Sequence, residues 1–383
     1  MRRKLLKVAR IMISLAAADE VARGLRCYVS SRIAVKAGAS SQRAEPAEPS
    51  SRVPLVDIGA NMLDPMFQGI YRDKRRHPED LPAVLTRALS AGVSKLMVTA
   101  GTLQESLDAV EFCRNANSSD WPELCCTVGV HPTRCCEFEH TNDPESYLEN
   151  LLAVAKRAGS VCAAVGECGL DYDRLQFCPR ETQLKYFERQ LLGLAIPLQK
   201  PLFLHCRTRE AASDLISFLT KVRKELPACP GVVHSFDGSL EDAQRFLELG
   251  FFIGVNGCSL KTDENLEMVK GLPEDRILLE TDAPWCGIKA SHAGHGFIQT
   301  TWDEVKKPEK WEEGKCIKDR SEPCHMRQVL EVVAGCRGTS PETLAEAVHH
   351  SNKIFFGSGA CGEKRGAGCL STVLSAALKA HCQ

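Results

Sequence analysis

Residues 165–173 read Val165-Gly166-Glu167-Cys168-Gly169-Leu170-Asp171-Tyr172-Asp173. The apolar run Val161 to Val165 stops at a glycine, so the pattern predicts a buried strand that delivers one carboxylate, Glu167, at its C-terminal tip. Three later strand-like runs end the same way, in Leu204-His205-Cys206-Arg207, Val233-His234-Ser235-Phe236 and Glu280-Thr281-Asp282-Ala283-Pro284. Each places one metal-competent side chain just past a buried strand, where barrel enzymes carry their chemistry. A lone histidine at a strand end is more often a hydrogen-bonded structural residue. Four such ends together reverse that preference.

Outward from this stretch the chain alternates strand-like and helix-like segments. Strands are expected at Pro54 to Asn61, Lys95 to Ala100, Leu124 to Val130, Val161 to Gly166, Pro201 to His205, Gly231 to Ser235, Phe251 to Asn256 and Ile277 to Thr281. Amphipathic segments lie between them; in Thr182 to Ile196, for example, Leu184, Phe187, Leu191 and Leu194 share one face. Eight strands with chemical residues at many different ends predict an α/β fold, a (β/α)8 TIM barrel, rather than a doubly wound sheet with its single crevice. Neither the dinucleotide-binding glycine pattern nor a Walker loop occurs. The polar segment Trp285 to Glu322 breaks the rhythm directly after Asp282, so it is expected to overhang the active face. Two helices, Met326 to Cys336 and Pro341 to Phe356, are expected to close the domain.

The chain has 383 residues, 44% hydrophobic and 25% charged, with a formal net charge of −1. That balance excludes a globally basic nucleic-acid binder and leaves room only for a local basic patch. Nineteen cysteines without a disulfide-framework spacing read as reduced thiols in an intracellular protein. No apolar run approaches the roughly 20 residues of a membrane span. Residues 1–53 form a basic extension: up to Ala44 there are ten Lys and Arg against Asp19 and Glu20, a pattern that fits mitochondrial targeting or a poorly ordered arm. The barrel is expected over 54–357, and 358–383 as a disordered tail.

His205 and His234 offer neutral imidazoles, and Glu167 and Asp282 offer carboxylate oxygens. This mixed set suits Mg, Mn, Zn or a related divalent ion. A glutamate able to bridge two ions would make a two-metal site, with Asp282 as base or water-orienting ligand. His131, in Gly129-Val130-His131-Pro132, is read first as a substrate contact, with metal ligand and structural cap as the alternatives. Arg134, Arg174, Arg207, Lys261 and Lys289 follow strands 3, 4, 5, 7 and 8 and could form a phosphate-holding rim, with Trp285 stacking on a base. His292, His295 and His325, in the insertion and at its end, are not assigned a metal.

These motifs, together with Asp57-Ile58-Gly59-Ala60-Asn61, resemble in order those of the TatD-type metal-dependent deoxyribonucleases, over about Pro54 to Gly357. Asp64-Pro65-Met66-Phe67-Gln68-Gly69-Ile70-Tyr71, Arg174-Leu175-Gln176-Phe177-Cys178-Pro179 and Asn256-Gly257-Cys258-Ser259-Leu260-Lys261-Thr262 look most like the eukaryotic TatD DNase domain-containing protein 1 branch, regarded as nuclear. The resemblance implies a metallo-dependent hydrolase barrel that cleaves DNA. Glu167 would be the shared ligand of two divalent ions, His205 and His234 would bind one ion each, and Asp282 would stand near the attacking water. One departure stands out. Many relatives carry His-x-His on strand 1, where this chain has Gly59 and Asn61, so one ion site is expected to be weaker, and restoring both histidines to tighten it. A metallo-amidohydrolase or esterase acting on a small molecule, and a non-catalytic nucleic-acid binder, are the other readings. The oligomeric state is not legible in the sequence.

Overall fold

In the computed structural model the protein is described over residues 53–357, apart from 117, 141 and 142. The expectations for the N-terminal extension and for the tail fall outside the described residues. The strands are β1 (Leu55–Ala60), β2 (Val93–Val98), β3 (Glu123–Val128), β4 (Cys162–Asp171), β5 (Leu202–Arg207), β6 (Gly231–Val233), β7 (Phe252–Val255) and β8 (Ile277–Leu279). They form one eight-stranded parallel sheet in sequence order. The ring closes between its first and last strands through Asn61 N to Ala283 O at 2.6 Å and Asp282 N to Gly59 O at 2.8 Å. Asp57 staples the same seam: its carboxylate accepts from Thr281 N at 3.0 Å and the Thr281 hydroxyl at 2.6 Å. Burial raises the Asp57 carboxyl to about 8, against the opposing pull of those hydrogen bonds.

The barrel interior is filled by Val56, Ile58, Met97, Phe203, Phe252 and Leu278, with small Ala164 leaving space for the two rings. Outside it lie α1 (Leu81–Ser90), α2 (Leu103–Asn115), α3 (Pro144–Ala158), α4 (Arg180–Gln190), α5 (Arg209–Val222), α6 (Leu240–Glu248), α7 (Asp263–Gly271), α8 (Met326–Arg337) and α9 (Pro341–Phe356). The loops set their starts: Thr102, Asp143, Thr208, Ser239 and Thr262 each accept a backbone N–H from the first turn. Asp80 stands at the same position before α1 but caps nothing. Its two oxygens instead hold Arg320 at 2.8 and 2.6 Å. That buried pair ties the insertion to the loop after β1, and Trp311 Nε1 adds a third contact to Asp80 at 3.2 Å. The insertion also carries a two-stranded parallel pair, Glu304–Val305 with Cys316–Ile317, for which the polar sequence gives no periodic signal.

One strand differs from expectation in a way that shapes the site. The strand predicted to stop at Glu167 runs on to Asp171. Its pairing steps from Val165↔Leu202 to Cys168↔Leu204, three residues against two, which is a bulge. Gly166 and Gly169 make it possible: a Cβ at either position would lie 2.3 Å from Phe203 O or 2.0 Å from His205 O, and both have positive φ. The expected strand end is therefore a kink that turns Glu167 into the mouth and keeps Asp171 four residues on, at the same face of the strand.

Candidate metal centre

Glu167, His205 and His234 come from β4 and from the ends of β5 and β6, three neighbours in the ring. Glu167 Oε1 lies 2.7 Å from His205 Nδ1 and 2.6 Å from His234 Nε2. All three residues are buried, and one ligand atom from each lies within 4.8 Å of the others. His131 Nε2 approaches the same oxygen at 3.4 Å. His131 also joins Asp171 and His205 in a second group of the same compactness.

Each imidazole is backed by a carboxylate. Asp171 Oδ2 is 3.1 Å from His205 Nε2, and Glu280 Oε2 is 3.5 Å from His234 Nδ1. Ser235 N donates to the other oxygen of Glu280, and the His234 ring stacks on Phe203 at 4.4 Å. Carboxylates in this position fix the tautomer and aim of a metal-binding histidine. The sequence reading missed both, yet strand parity points to them: Asp171 is four residues after Glu167, and Glu280 two before Asp282.

Burial works against a charged Glu167, but His234, His131 and His205 outweigh it and hold the carboxyl well below its ordinary value. His234 moves the other way: burial pushes it down, Glu167 and Glu280 prevail, and it stays well above 6.5. Burial and the neighbouring His131 lower His205. A buried carboxylate facing one protonated and one neutral imidazole is a site whose charge a divalent cation can replace, the His234 proton leaving as it binds. The donor set therefore fits a cation.

Asp282 belongs to neither compact group of three. Its φ of 52° is left-handed, and its carboxylate is held from two sides, by Asn61 Nδ2 at 2.9 Å and the Cys286 thiol at 3.1 Å. Burial raises it to about 6, although His234 opposes the shift. Asn61 is itself fixed by the Thr99 hydroxyl at 2.7 Å. Asn61 thus orients Asp282.

The space at Gly59 is already filled. A Cβ there would meet Glu280 Oε2 at 2.6 Å and Phe203 Cζ at 2.8 Å. A histidine restored at this position would require the Glu280 carboxylate and the Phe203 ring to shift.

A family model described as TatD related DNase matches residues 67–357. The chain belongs to the TatD-related DNase family. It is 45% identical over 299 residues to the Schizosaccharomyces pombe protein named deoxyribonuclease Tat-D, covering 77% of this chain and 93% of that one. It is 31% identical to a Citrobacter koseri protein named 3'-5' ssDNA/RNA exonuclease TatD, over 79% of this chain and 99% of the relative. Among solved structures, the Entamoeba histolytica TatD family hydrolase superposes with a TM-score of 0.73 at 34% identity, covering 79% of this chain and 98% of that one. The protein is accordingly a TatD-type hydrolase on a TIM barrel.

Around this TatD centre the expected rim divides. Arg134, Arg174, Lys261, Lys289 and Trp285 are exposed. Arg207 is not a free rim residue. Its guanidinium donates to Ser235 O at 2.6 Å, Ser235 Oγ at 3.0 Å and Asp237 at 3.0 Å, so it braces the loop after β6. The unassigned histidine His325 has company: Cys316 and Cys324 lie with it in a compact group, where its Nδ1 accepts the Glu322 N–H at 3.1 Å. The cysteines among the described residues are free thiols. Among those residues no helix is long and apolar enough to cross a membrane.

Proposed function

We propose that this barrel mouth hydrolyses phosphodiester bonds in DNA with a divalent cation, working from the 3' end of a single or frayed strand. The observation that carries the reading is Glu167 clasped between His205 and His234 with its charge held on. Those three residues would hold a Mg, Mn or Zn ion, which when bound supplies charge neutralisation and an acidic water. Only one such ion is tightly held, because Gly59 and Asn61 offer no imidazole. Asp282, oriented by Asn61, accepts the proton of the attacking water. Exposed Arg134, Arg174 and Lys261 steady the phosphates beside the scissile bond. The 3' polarity is supported by the name of the Citrobacter koseri relative, and a nuclear setting by the resemblance to the eukaryotic branch.

End-labelled single strands, blunt duplexes and a panel of small amides and esters, each with Mg or Mn, test this reading. Single strands are expected to shorten from the 3' end, and at low substrate the rate to fall as salt rises, since each phosphate contact releases counterions. Turnover of a small ester or amide with DNA left intact would support the amidohydrolase reading instead.

The supporting carboxylate gives a second expectation. Asp171→Asn keeps an oxygen for the Asp173 N–H, now 3.1 Å away, but loses the anion behind His205. Activity and cation affinity should both fall about 10- to 100-fold, as read by turnover and by metal titration. Unchanged affinity would remove Asp171 from the centre.

A further inference from the structure

Arg134 and Arg174 face a single cavity of about 670 Å³ with Phe177 at its edge, within the size range of small-ligand sites. One wall is the loop after β3, with Thr133, Arg134 and Glu137; the other is the loop after β4, with Arg174 and Phe177. Both walls reach the centre. Thr133 Oγ1 bonds His131 Nδ1 at 2.7 Å, and His131 faces Glu167. Arg174 Nη1 lies 3.7 Å from Asp171 Oδ2, the oxygen that backs His205. Glu137 also lines the cavity, one of its oxygens accepting the Tyr147 hydroxyl at 2.9 Å, so two guanidiniums stand there against one carboxylate.

Phe177 and Trp285 are 63% and 53% exposed, more than any other large apolar side chain among the described residues. They follow β4 and β8, four places apart in a ring of eight, and so stand on opposite sides of the centre. The Phe177 backbone is tethered: its N–H donates to Arg174 O at 3.1 Å and its carbonyl accepts the Cys136 thiol at 4.0 Å. Its neighbour Cys178 is buried. An aromatic ring held out from an anchored loop, beside two cations, matches the flat face and flanking charge of an unpaired nucleotide.

We infer that this cavity is a nucleotide subsite in which Phe177 stacks on an unpaired base and Arg134 and Arg174 take the phosphates on either side of it. The inference rests on the nuclease reading and adds a cause for strand choice: a base reaches Phe177 only when it has left a duplex. Stacking accepts every base, so the subsite selects for unpairing rather than for sequence.

The full-length protein, treated with chelator to prevent cleavage, is titrated with fluorescent single-stranded oligonucleotides carrying one abasic residue at successive positions from the 3' end. One position should weaken binding about tenfold. Phe177→Ala should bind the intact strand about tenfold more weakly and lose that position dependence, and Phe177→Trp should restore both. Because the side chain is exposed, these variants leave the core untouched. Binding that ignores the abasic position, or Phe177→Ala protein that still senses it, overturns the subsite. If Mg- or Mn-loaded wild type nonetheless cleaves single strands, the nuclease reading survives that failure; if it neither binds nor cleaves them, both fall.

Discussion

Glu167→Ala should eliminate hydrolysis of single-stranded DNA while the barrel stays folded. Removing a carboxylate that merely backs a metal-binding histidine costs about 10- to 100-fold, so loss of the group lying between both imidazoles should exceed about 100-fold. The fold should survive because Glu167 sits on the bulge at the mouth, and the barrel interior is built from Phe203, Phe252 and their apolar neighbours. Without the Glu167 anion His234 still faces the Glu280 carboxylate at 3.5 Å, so the variant does not leave a buried imidazolium unpaired. Circular dichroism and end-labelled oligonucleotide assays check the two halves of this result. A variant with near wild-type turnover would remove Glu167 from the site.

The same pair makes the metal-free protein pH-dependent in two directions. The raised pKa of His234 contributes stability that is complete below 6.5 and is lost as pH rises through its folded value. The lowered pKa of Glu167 contributes stability that is present above 4.5 and is lost as pH falls through its own folded value. Since a cation must displace the His234 proton, its affinity should weaken as pH falls.

Gly59→His should destabilise the protein and add no second tightly bound ion. Its Cβ alone would sit 2.6 Å from a Glu280 oxygen and 2.8 Å from the Phe203 ring. Neither can retreat easily: Phe203 is fully buried against His234, and the other Glu280 oxygen holds Ser235 N. Overpacking of this type costs roughly 1–3 kcal/mol, and displacement of Glu280 would also withdraw support from His234. Thermal unfolding should show a lowered midpoint, and elemental analysis after dialysis no more metal than in wild type. A variant with the wild-type midpoint and an extra tightly held equivalent would show that the space at Gly59 can be reopened. Asn61→His is a different case, because that side chain is only half-buried and an imidazole can still donate to Asp282.

The amino-acid sequence by itself determined the alternation of strands and helices, and with it the parallel barrel. Apolar runs of strand length, punctuated by glycine, proline and capping residues, are local signals, and local sterics and burial decide them. It also determined that Glu167, His205, His234 and Asp282 stand at one end of the barrel, because all four follow the C-terminal side of their runs. What partners each side chain takes was decided only by the closed ring. Asn61 meets Asp282 across 221 residues of chain. Arg207, expected at the rim, turns to the Ser235 loop because a side chain only 17% exposed must satisfy its guanidinium donors nearby. Asp171 and Glu280 were within reach of strand parity, whereas the bulge that keeps Asp171 in line with Glu167 depends on how closely the β5 backbone passes Gly166 and Gly169. The Gly59 position reads in sequence as a missing ligand. In three dimensions it is the space that Phe203 and Glu280 occupy to hold His234, and only packing between β1, β5 and β8 could decide that.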